Sequence, residues 1–461
     1  MKSRSSKILV VGGLAAGPSA AAKAKRVNPS AEVTLFEATE NVSYAICESP
    51  YAIGNIVKDE SKLVILTPEK LESEKNIIVK TLHNVEKILP ANKKILVRNL
   101  RTREMDEYTY DELIICTGSI PKRLNVEGEN ARNIFNLKNR DDVLKILNYI
   151  SNNNVRNVII IGGGYIAIEM VEAFKRRGMD VTMLHQFNLP MEGLEKETRE
   201  CILEELKTNG IEFIPNIKVE AFLQDESYKV KYILTNRGSF EADLILLSIG
   251  VEPNTELARA ASIRVGKFGG IITDARQRTN IEHIYAAGDC CEVLNIVTGK
   301  NMYIPLATIA SRAAWVAGEN AAGGNAFFKG AIRAVAVKVF NLEVAHVGIS
   351  SEEAKKFGYS PLTSLIQAPS QVKIISDEIK VFIHLIFDKS SRRVLGANIY
   401  GRSGVIQRAN VLSVAIQQKM TVDELSQLDM IYSPMFSPLW DPVLIAAHQA
   451  KKDIESKIKK T

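Results

Sequence analysis

The sequence predicts an α/β protein with two Rossmann-like dinucleotide-binding domains, the second inserted in the first, plus a C-terminal α+β dimerisation domain. Glycine-rich turns follow apolar strands at Gly12 and again at Gly162. β-rich runs begin near residue 327, beyond both turns. The 461 residues, 46% hydrophobic and 24% charged, also suffice for about three globular domains.

The first unit predicts a strand at 7–11, a helix at 18–27 and a strand at 32–37. A second unit predicts a strand at 157–161, a helix at about 165–177 and a strand at 180–184. Each has the strand-turn-helix-strand order of a nucleotide-binding unit.

Two similar strands, at 111–118 and 242–250, are expected to return the chain between the domains. A strand at 284–289 and a helix at 305–318 then resume the first domain. The predicted boundaries are 1–118 and 247–326 for the first nucleotide domain, 119–246 for the second, and 327–461 for the last.

The last domain is expected to combine a sheet with helices. Its strands are predicted at 335–340, 342–347 and 379–387, and its helices at 404–418 and 421–428.

In the first turn, Gly12 permits the bend and Gly17 lets the helix approach the strand, so a pyrophosphate can lie at the helix N-terminus. Glu37 is positioned to accept a hydrogen bond from a ribose hydroxyl. Leu14 replaces the middle glycine, so this motif is imperfect, although Asp289 at a later strand end supports it.

The second turn has both Gly162 and Gly164, which predicts a bound dinucleotide. His185 follows its second strand, where an NAD-selective unit carries Asp or Glu. The missing carboxylate favours NADPH, with Arg176 and Arg177 as candidate partners of the additional phosphate, but leaves NADH open.

Cys47 stands ten residues after Glu37, which places one sulfur beside the first nucleotide. The alternative for a lone cysteine is a small buried hydrophobe. Five cysteines without Cys-x-x-Cys spacing argue against a disulfide scaffold or a metal site and favour a reducing, cytoplasmic setting. Cys116 is expected in the core, and Cys290 and Cys291 are expected to pack rather than form a vicinal bridge.

Composition also limits the partners. The net charge of +6 is scattered, and only Lys451, Lys452 and residues 457–460 form a basic cluster, so we expect no nucleic acid. The N-terminal apolar run carries the turn glycines and is not interpreted as a signal peptide, and no segment is apolar enough to span a membrane.

These motifs together resemble the pyridine nucleotide-disulfide oxidoreductases, in particular the single-cysteine branch with CoA-disulfide reductases, NAD(P)H-dependent persulfide reductases and NADH oxidases. The resemblance extends over nearly the whole chain and rests on the two glycine turns and on these segments: SYAIC (43–47), GGGYIAIE (162–169), AAGD (286–289) and IPLAT (304–308).

The resemblance implies FAD on the first unit, NADPH or NADH on the second, and a homodimer that shares its active site between subunits. The catalytic residues it implies are Cys47 and the partner subunit's Tyr432. It implies FAD contacts at Gly12, Gly17, Glu37, Val85, Thr117, Gly118, Asp289 and Ala307. It implies NAD(P)H contacts at Gly162, Gly164, Tyr165, Ile166, Glu169, His185 and Gly250, and substrate contacts at Arg26 and Ser43.

Departures from the family pattern separate the alternatives. Ala52 replaces the second active-site cysteine of two-cysteine members, which excludes an internal redox disulfide. Ala15 replaces a histidine often found in NADH oxidases, and Ile46 and Glu48 depart from CoA-disulfide reductases. We expect an FAD-dependent NAD(P)H oxidoreductase that reduces a disulfide, persulfide or polysulfide, with a CoA-type thiol possible. An NAD(P)H oxidase and a catalytically silent NAD(P)H sensor are the alternatives.

Overall fold

The computed structural model describes residues 6–375 and 379–458. In chain order, the strands of these residues are β1 (Lys7–Val11), β2 (Glu32–Phe36), β3 (Ile78–Lys80), β4 (His83–Leu89), β5 (Lys94–Asn99), β6 (Met105–Thr109), β7 (Glu112–Ile115), β8 (Ser119–Pro121), β9 (Ile134–Phe135), β10 (Asn157–Ile161), β11 (Asp180–Leu184), β12 (Glu212–Ile214), β13 (Val219–Gln224), β14 (Val230–Thr235), β15 (Gly238–Glu241), β16 (Leu244–Leu247), β17 (Val251–Pro253), β18 (Ile284–Ala286), β19 (Val293–Asn295), β20 (Lys300–Met302), β21 (Ala334–Val339), β22 (Leu342–Gly348), β23 (Pro361–Pro369), β24 (Lys380–Asp388) and β25 (Val394–Gly401).

The α-helices of the same residues are α1 (Ala16–Val27), α2 (Ser49–Ile53), α3 (Pro68–Lys75), α4 (Arg140–Asn152), α5 (Tyr165–Arg176), α6 (Lys196–Thr208), α7 (Glu256–Ala260), α8 (Ala307–Ala321), α9 (Ser351–Lys356), α10 (Val405–Gln417), α11 (Val422–Leu425) and α12 (Pro442–Ile458). Short 3₁₀ turns lie at Ile46–Glu48, Glu60–Leu63 and Pro90–Asn92. In the basic C-terminal cluster, the side chains at 457–460 lie outside the described part of the chain.

Two parallel five-stranded sheets form the nucleotide-binding architecture and confirm the predicted fold class. The first has the order β18-β7-β1-β2-β3 and the second the order β12-β11-β10-β16-β9. The central strands are almost wholly apolar because helices and further sheets cover both of their faces.

The crossings between these sheets differ from the prediction. The runs at 111–118 and 242–250 contain β7 and β16, which are inner strands of the two sheets. The crossings are the next strands, β8 and β17, which pair antiparallel with each other. The chain therefore leaves and re-enters the first domain through adjacent strands, while the domain boundaries given above stay a prediction.

Two antiparallel sheets were missing from the sequence-based expectation, β4-β5-β6 and β13-β14-β15. Their outer strands, such as β6 (MDEYT), are polar and mostly exposed, so they lack the apolar run that predicts a buried strand. Each sheet nevertheless buries one face against its nucleotide domain, β4 and β5 through Val85 and Ile95 and β13 and β14 through Phe222 and Ile233.

The C-terminal domain is an antiparallel sheet of order β21-β22-β25-β24-β23, with α10 and α12 packed on it. Its apolar core includes Leu385, Phe387 and Leu412, and the same domain also buries polar side chains such as Asn398 and Arg408. The predicted helix at 421–428 is shorter, α11, because its chain turns after Leu425.

Candidate active site

The first glycine turn has no room for side chains. Gly12 has a φ of +104°, and a Cβ there would lie 2.2 Å from the Cys116 carbonyl oxygen. A Cβ on Gly17 would lie 1.8 Å from the Gly12 oxygen. The first turn of α1 has neither a side-chain cap nor an acidic residue, so its N–H groups remain available for a pyrophosphate. The turn therefore fits the FAD that was expected there.

Glu37 lies directly after β2 and faces this turn. Its Oε2 accepts from the Gly13 N–H at 2.7 Å, and its Oε1 accepts from the N–H and the hydroxyl of Thr39, both at 2.8 Å. These bonds hold the carboxylate in one orientation while each oxygen keeps further acceptor capacity for a ribose hydroxyl.

Other predicted FAD residues surround the crossing strands. The Thr117 hydroxyl donates to the Asn254 carbonyl at 2.7 Å, and the Asn254 N–H donates to the Gly118 carbonyl at 3.0 Å. Asp289 accepts from the Ser119 hydroxyl at 3.2 Å and lies 3.8 Å from the Lys138 ammonium. These predicted FAD residues thus lie around the paired crossing strands β8 and β17.

The last two predicted FAD residues belong to other elements than the glycine turn, although Ala307 lines the same cavity as Leu14 and Ala15 of that turn. Ala307 is the first residue of α8, whose N-terminus has no side-chain cap and no acidic residue in its first turn. The side chain of Val85, in β4, is buried in the core, so only its backbone is available to a nucleotide.

The second glycine turn is packed as tightly as the first. Gly162 has a φ of +133°, and a Cβ there would lie 2.1 Å from the Ser248 carbonyl oxygen, whereas a Cβ on Gly164 would meet open space. The α5 N-terminus, capped by Gly164 without a side-chain bond, is open to a second dinucleotide. Gly250, with a φ of +99°, lies between β16 and β17.

Three predicted NAD(P)H residues lie on the first turns of α5. Burial raises the pKa of Tyr165 to about 12, and Ile166 is 36% exposed. Burial also raises the pKa of Glu169 to about 7. No cation contributes to that shift, so Glu169 is a carboxyl that holds a proton near neutral pH.

His185 follows β11 and packs against Gly163, and its Nε2 lies 2.6 Å from Glu192. Arg176 and Arg177, the expected partners of a 2′-phosphate, lie at the other end of α5, roughly 18 Å along the helix from the glycine turn. The Arg177 Nε donates to the Ile53 carbonyl. The structure therefore does not bring these arginines to the nucleotide end of the helix.

Cys47 lies in the 3₁₀ turn Ile46–Glu48 and is solvent-exposed, unlike the small buried cysteine of the alternative interpretation. The pKa of its thiol is raised, first because its surroundings partly desolvate it and then because Glu48, Glu169 and Asp289 are acidic; Lys138 lowers it. Residues from both nucleotide units therefore influence the pKa of the Cys47 thiol.

A cleft of about 740 Å³ lies beside this turn, between α1, α3 and α8. The predicted substrate residue Ser43 lines it, together with the basic residues Lys75 and Arg312. Trp315 also lines it, and the cationic groups of Lys23 and Arg26 each lie 5.3 Å from the centroid of its ring. Arg26 is thus brought to the same cleft as Ser43 through Trp315.

Lys75, Arg312, Trp315 and Glu192 were missed by the sequence reasoning. Thr308, Ser311, Arg312 and Trp315 recur at helical spacing and share one face of α8, which is a detectable signal. Which cavity that face borders depends on the packing of α8 against α1, which no local pattern encodes.

Tyr432 lies between α11 and α12 and is 51% exposed. Within the described part of a single chain, its hydroxyl makes no hydrogen bond. Ile431, Met435, Phe436, Leu439 and Trp440, in the same segment, are between 54% and 86% exposed.

The remaining cysteines are all unpaired. Cys116, Cys290 and Cys291 are buried, with 3.8 Å between the sulfurs of the last two, and Cys201 on α6 is half-buried. Across residues 6–375 and 379–458, no cluster of three or more acidic, histidine or cysteine side chains is arranged around a metal position. Over the same residues, no helix has the length and hydropathy required to cross a bilayer.

Comparisons with known proteins agree with this geometry. The sequence profile described as pyridine nucleotide-disulphide oxidoreductase matches residues 6–314, and the profile of the corresponding dimerisation domain matches residues 334–442. The chain is 32% identical to the NAD(P)H coenzyme A polysulfide/persulfide reductase of Pyrococcus horikoshii, over 96% of this chain and 98% of that protein.

An NADH oxidase of Enterococcus faecalis is 30% identical, over 97% of this chain and all of that protein. Among solved structures, an NAD-dependent persulfide reductase from A. fulgidus superposes with a TM-score of 0.94 at 32% identity, over 98% of this chain and 84% of that one.

Proposed function

The chain belongs to the pyridine nucleotide-disulphide oxidoreductase family, and we propose that it is an FAD-dependent enzyme that uses NAD(P)H to reduce a CoA-type disulfide, persulfide or polysulfide through Cys47. The observation that carries the proposal is the basic cleft lined by Trp315 and Ser43, because Ser43 lies four residues before an exposed cysteine.

The cleft supports a substrate with phosphates and an apolar arm. Lys75 and Arg312 on its wall, with Lys23 and Arg26 beside Trp315, provide cations for phosphate groups. Leu14, Leu66 and Leu71 form an apolar wall for a pantetheine-like arm. The exposed indole of Trp315, 46% accessible, offers a flat surface on which a purine can stack.

The chemistry is an exchange at sulfur. The Cys47 thiolate attacks the S–S bond of the substrate, forming a bond to one sulfur while the other leaves as a thiolate. Restoring Cys47 requires two electrons, which break the mixed disulfide and release the second substrate sulfur as a thiolate. FAD held at the first glycine turn would relay these electrons from NAD(P)H. Lys138 is the cation that opposes the acidic groups around Cys47.

The leaving thiolate requires a proton. We infer that the partner subunit's Tyr432 donates it. Tyr432 is half-exposed, and its hydroxyl has no partner within the described residues of one chain. Together with the dimerisation profile, which matches residues 334–442, this supports a site completed by a homodimer. A cytoplasmic setting belongs to the same proposal, supported by five unpaired cysteines.

An oxidase is the second candidate because a curated relative of 30% identity is named NADH oxidase. In that reaction oxygen accepts the electrons and the cleft has no role. The absence of histidine at Ala15, beside the cleft, favours the sulfur substrate.

The test is anaerobic. The FAD-loaded protein is reduced with NADH or NADPH and then given CoA disulfide, CoA persulfide or polysulfide while the flavin spectrum is recorded. We expect re-oxidation by a CoA-type substrate, abolished in Cys47→Ser and retained in the matched control Cys201→Ser. Re-oxidation by air alone would instead establish the oxidase.

A further inference from the structure

The two nucleotide units repeat the same backbone hydrogen bonds around their glycine turns. The Gly12 N–H donates to the Phe36 carbonyl at 2.8 Å, and the Gly162 N–H donates to the Leu184 carbonyl at 3.0 Å. The Ser43 N–H donates to the Gly13 carbonyl at 2.8 Å, as the Met191 N–H does to the Gly163 carbonyl, also at 2.8 Å. The first nucleotide unit can therefore be used as a reference for interpreting the second.

In this comparison, His185 occupies the place of Glu37. A Cβ on Gly13 would lie 2.9 Å from the Glu37 Cβ, and a Cβ on Gly163 would lie 2.8 Å from the His185 Cε1. The position that presents a carboxylate to the ribose in the first unit therefore holds an imidazole in the second.

The imidazole of His185 is itself hydrogen-bonded to a carboxylate, that of Glu192. The Nε2–H of His185 donates to Glu192 Oε1 at 2.6 Å. Glu192 follows Met191, which has a φ of +57°, and that turn brings the carboxylate back towards Gly163. His185 is 4% exposed, whereas the Glu192 side chain is 41% exposed, so the charge stands at the mouth of the site.

The ring itself is fixed in place. Phe187 and Phe213 pack against it with centroid separations of 5.6 and 5.9 Å. Its Nδ1 is buried and has no hydrogen-bond partner among the described residues, and the face of the ring lies against Gly163. No contact within the described chain accounts for this nitrogen.

We propose that Glu192, positioned by His185, is the carboxylate that binds the adenosine ribose of the nicotinamide nucleotide and makes the enzyme select NADH over NADPH. The proposal rests on the proposed function only in that the second unit binds NAD(P)H. It assigns the nucleotide preference, and it does so through a carboxylate displaced seven residues from its usual place after the strand.

The selectivity follows from charge. A carboxylate accepts a hydrogen bond from a 2′-hydroxyl but repels a 2′-phosphate at the same position. Arg199 is the nearest cation, at 3.6 Å from Glu192, but its Nε and Nη2 donate to the carbonyls of Pro190 and Leu189 at 2.8 and 2.6 Å. The guanidinium of Arg199 is therefore held by the carbonyls of the 189–190 loop, and these donors are not available to a 2′-phosphate.

The test measures binding without turnover. Isothermal titration of the FAD-loaded protein compares 5′-AMP with 2′,5′-ADP, which differ only by the 2′-phosphate, and anaerobic flavin bleaching compares NADH with NADPH. The wild-type protein is expected to favour 5′-AMP and NADH. Glu192→Gln is expected to narrow both ratios about tenfold, equal to about 1.4 kcal/mol, and Glu192→Arg to reverse them.

Glu200→Gln is the matched control, because Glu200 is an exposed glutamate on the next helix, paired with Lys196 at 3.5 Å. It is expected to leave the ratios unchanged. A wild-type preference for NADPH, or ratios that Glu192→Gln does not move, would overturn the proposal alone. Failure of both nucleotides to bind would overturn it together with the proposed function.

Discussion

Cys47, the proposed nucleophile, lies in a setting that works against its thiolate. Desolvation and three carboxyl groups raise its pKa, and Lys138 is the cation that lowers it. The sulfur is nevertheless exposed, which a structural cysteine has no need to be. Such a thiol is protected from indiscriminate oxidation until a cationic surface or a bound substrate stabilises the anion.

The adjacent Glu48 gives a direct test, since it is the carboxylate that raises the Cys47 pKa most. Glu48→Gln is expected to lower that pKa and so to speed alkylation of Cys47 at pH 7.5 by roughly two- to fivefold. The rate is measured by mass spectrometry of the peptide that contains Cys47. Glu40→Gln is the control, and equal rates in the two variants would contradict the argument.

Glu169 predicts a pH dependence of stability. Burial raises its pKa from 4.5 to about 7, so the folded protein binds more protons than the unfolded chain between these values. This carboxyl therefore makes stability fall as pH rises through that window. Glu169→Gln is expected to raise the free energy of unfolding at pH 8 by roughly 2 kcal/mol, and to have little effect near pH 4.

The effect of Glu169→Gln on stability is measured by the melting temperatures of the FAD-loaded wild-type and variant proteins at pH 4, 6 and 8. Glu172→Gln, one turn later on α5, removes a carboxylate paired with Lys338 at 3.1 Å and is expected to lower the melting temperature slightly at pH 8. A Glu169→Gln melting temperature below that of the wild-type protein at pH 8 would show that its carboxylate is stabilising.

Among the elements, α1 and α8 pack against each other and both line the cleft. A Cβ on Gly318 would lie 2.1 Å from the Ala20 carbonyl oxygen, so the two helices touch backbone to backbone. Small residues along both helices make this approach possible, including Ala20, Ala24, Ala314 and Ala317. We therefore expect both FAD binding and the shape of the cleft to depend on this helix contact.

Gly318→Val is expected to force the helices apart, with a loss of about 2–3 kcal/mol of stability and a reduced FAD content. Melting temperature and the flavin-to-protein absorbance ratio measure the two effects. Glu319→Gln, at the next position, weakens only a partly exposed ion pair with Lys23 at 2.8 Å and is expected to retain FAD. Full FAD occupancy in Gly318→Val would refute the role of this contact.

A second element-scale feature is the segment between α11 and α12. Arg408, 1% exposed, is 3.0 Å from Asp441, which also accepts from the Ser437 hydroxyl at 2.9 Å. This buried network holds the end of the segment that carries Tyr432. The segment is therefore anchored while its apolar side chains stay exposed.

At the scale of the whole molecule, the exposed apolar side chains around Tyr432 are expected to be covered by a second copy of the chain. Phe436→Asp combined with Leu439→Asp would place two charges in that interface, and we expect a monomer in sedimentation velocity. The monomer should keep FAD and flavin bleaching by nicotinamide nucleotide but lose sulfur-dependent re-oxidation.

Leu223→Asp, an exposed position on β13 in the second nucleotide unit, is the control and is expected to remain dimeric. A monomeric double variant with full sulfur turnover would show that one chain contains the whole site.

The sequence by itself determined the architecture and singled out Cys47 as the candidate nucleophile. The glycine turns at Gly12 and Gly162, the apolar parallel strands and Cys47 are visible as patterns along the chain. The carbonyls that leave no space for a Cβ at the two glycines, those of Cys116 and Ser248, come from distant parts of the chain. The polar sheets β4-β5-β6 and β13-β14-β15 were not predicted from the sequence, because exposed strands have no strong apolar pattern.

Only the tertiary structure decided which residues share a site. It joined Trp315 to Arg26 across two helices, placed Glu192 against His185, and left Arg176 and Arg177 at the far end of α5. The physical reason is that these contacts join separate elements, and their geometry depends on helix packing and loop turns rather than on spacing along the chain.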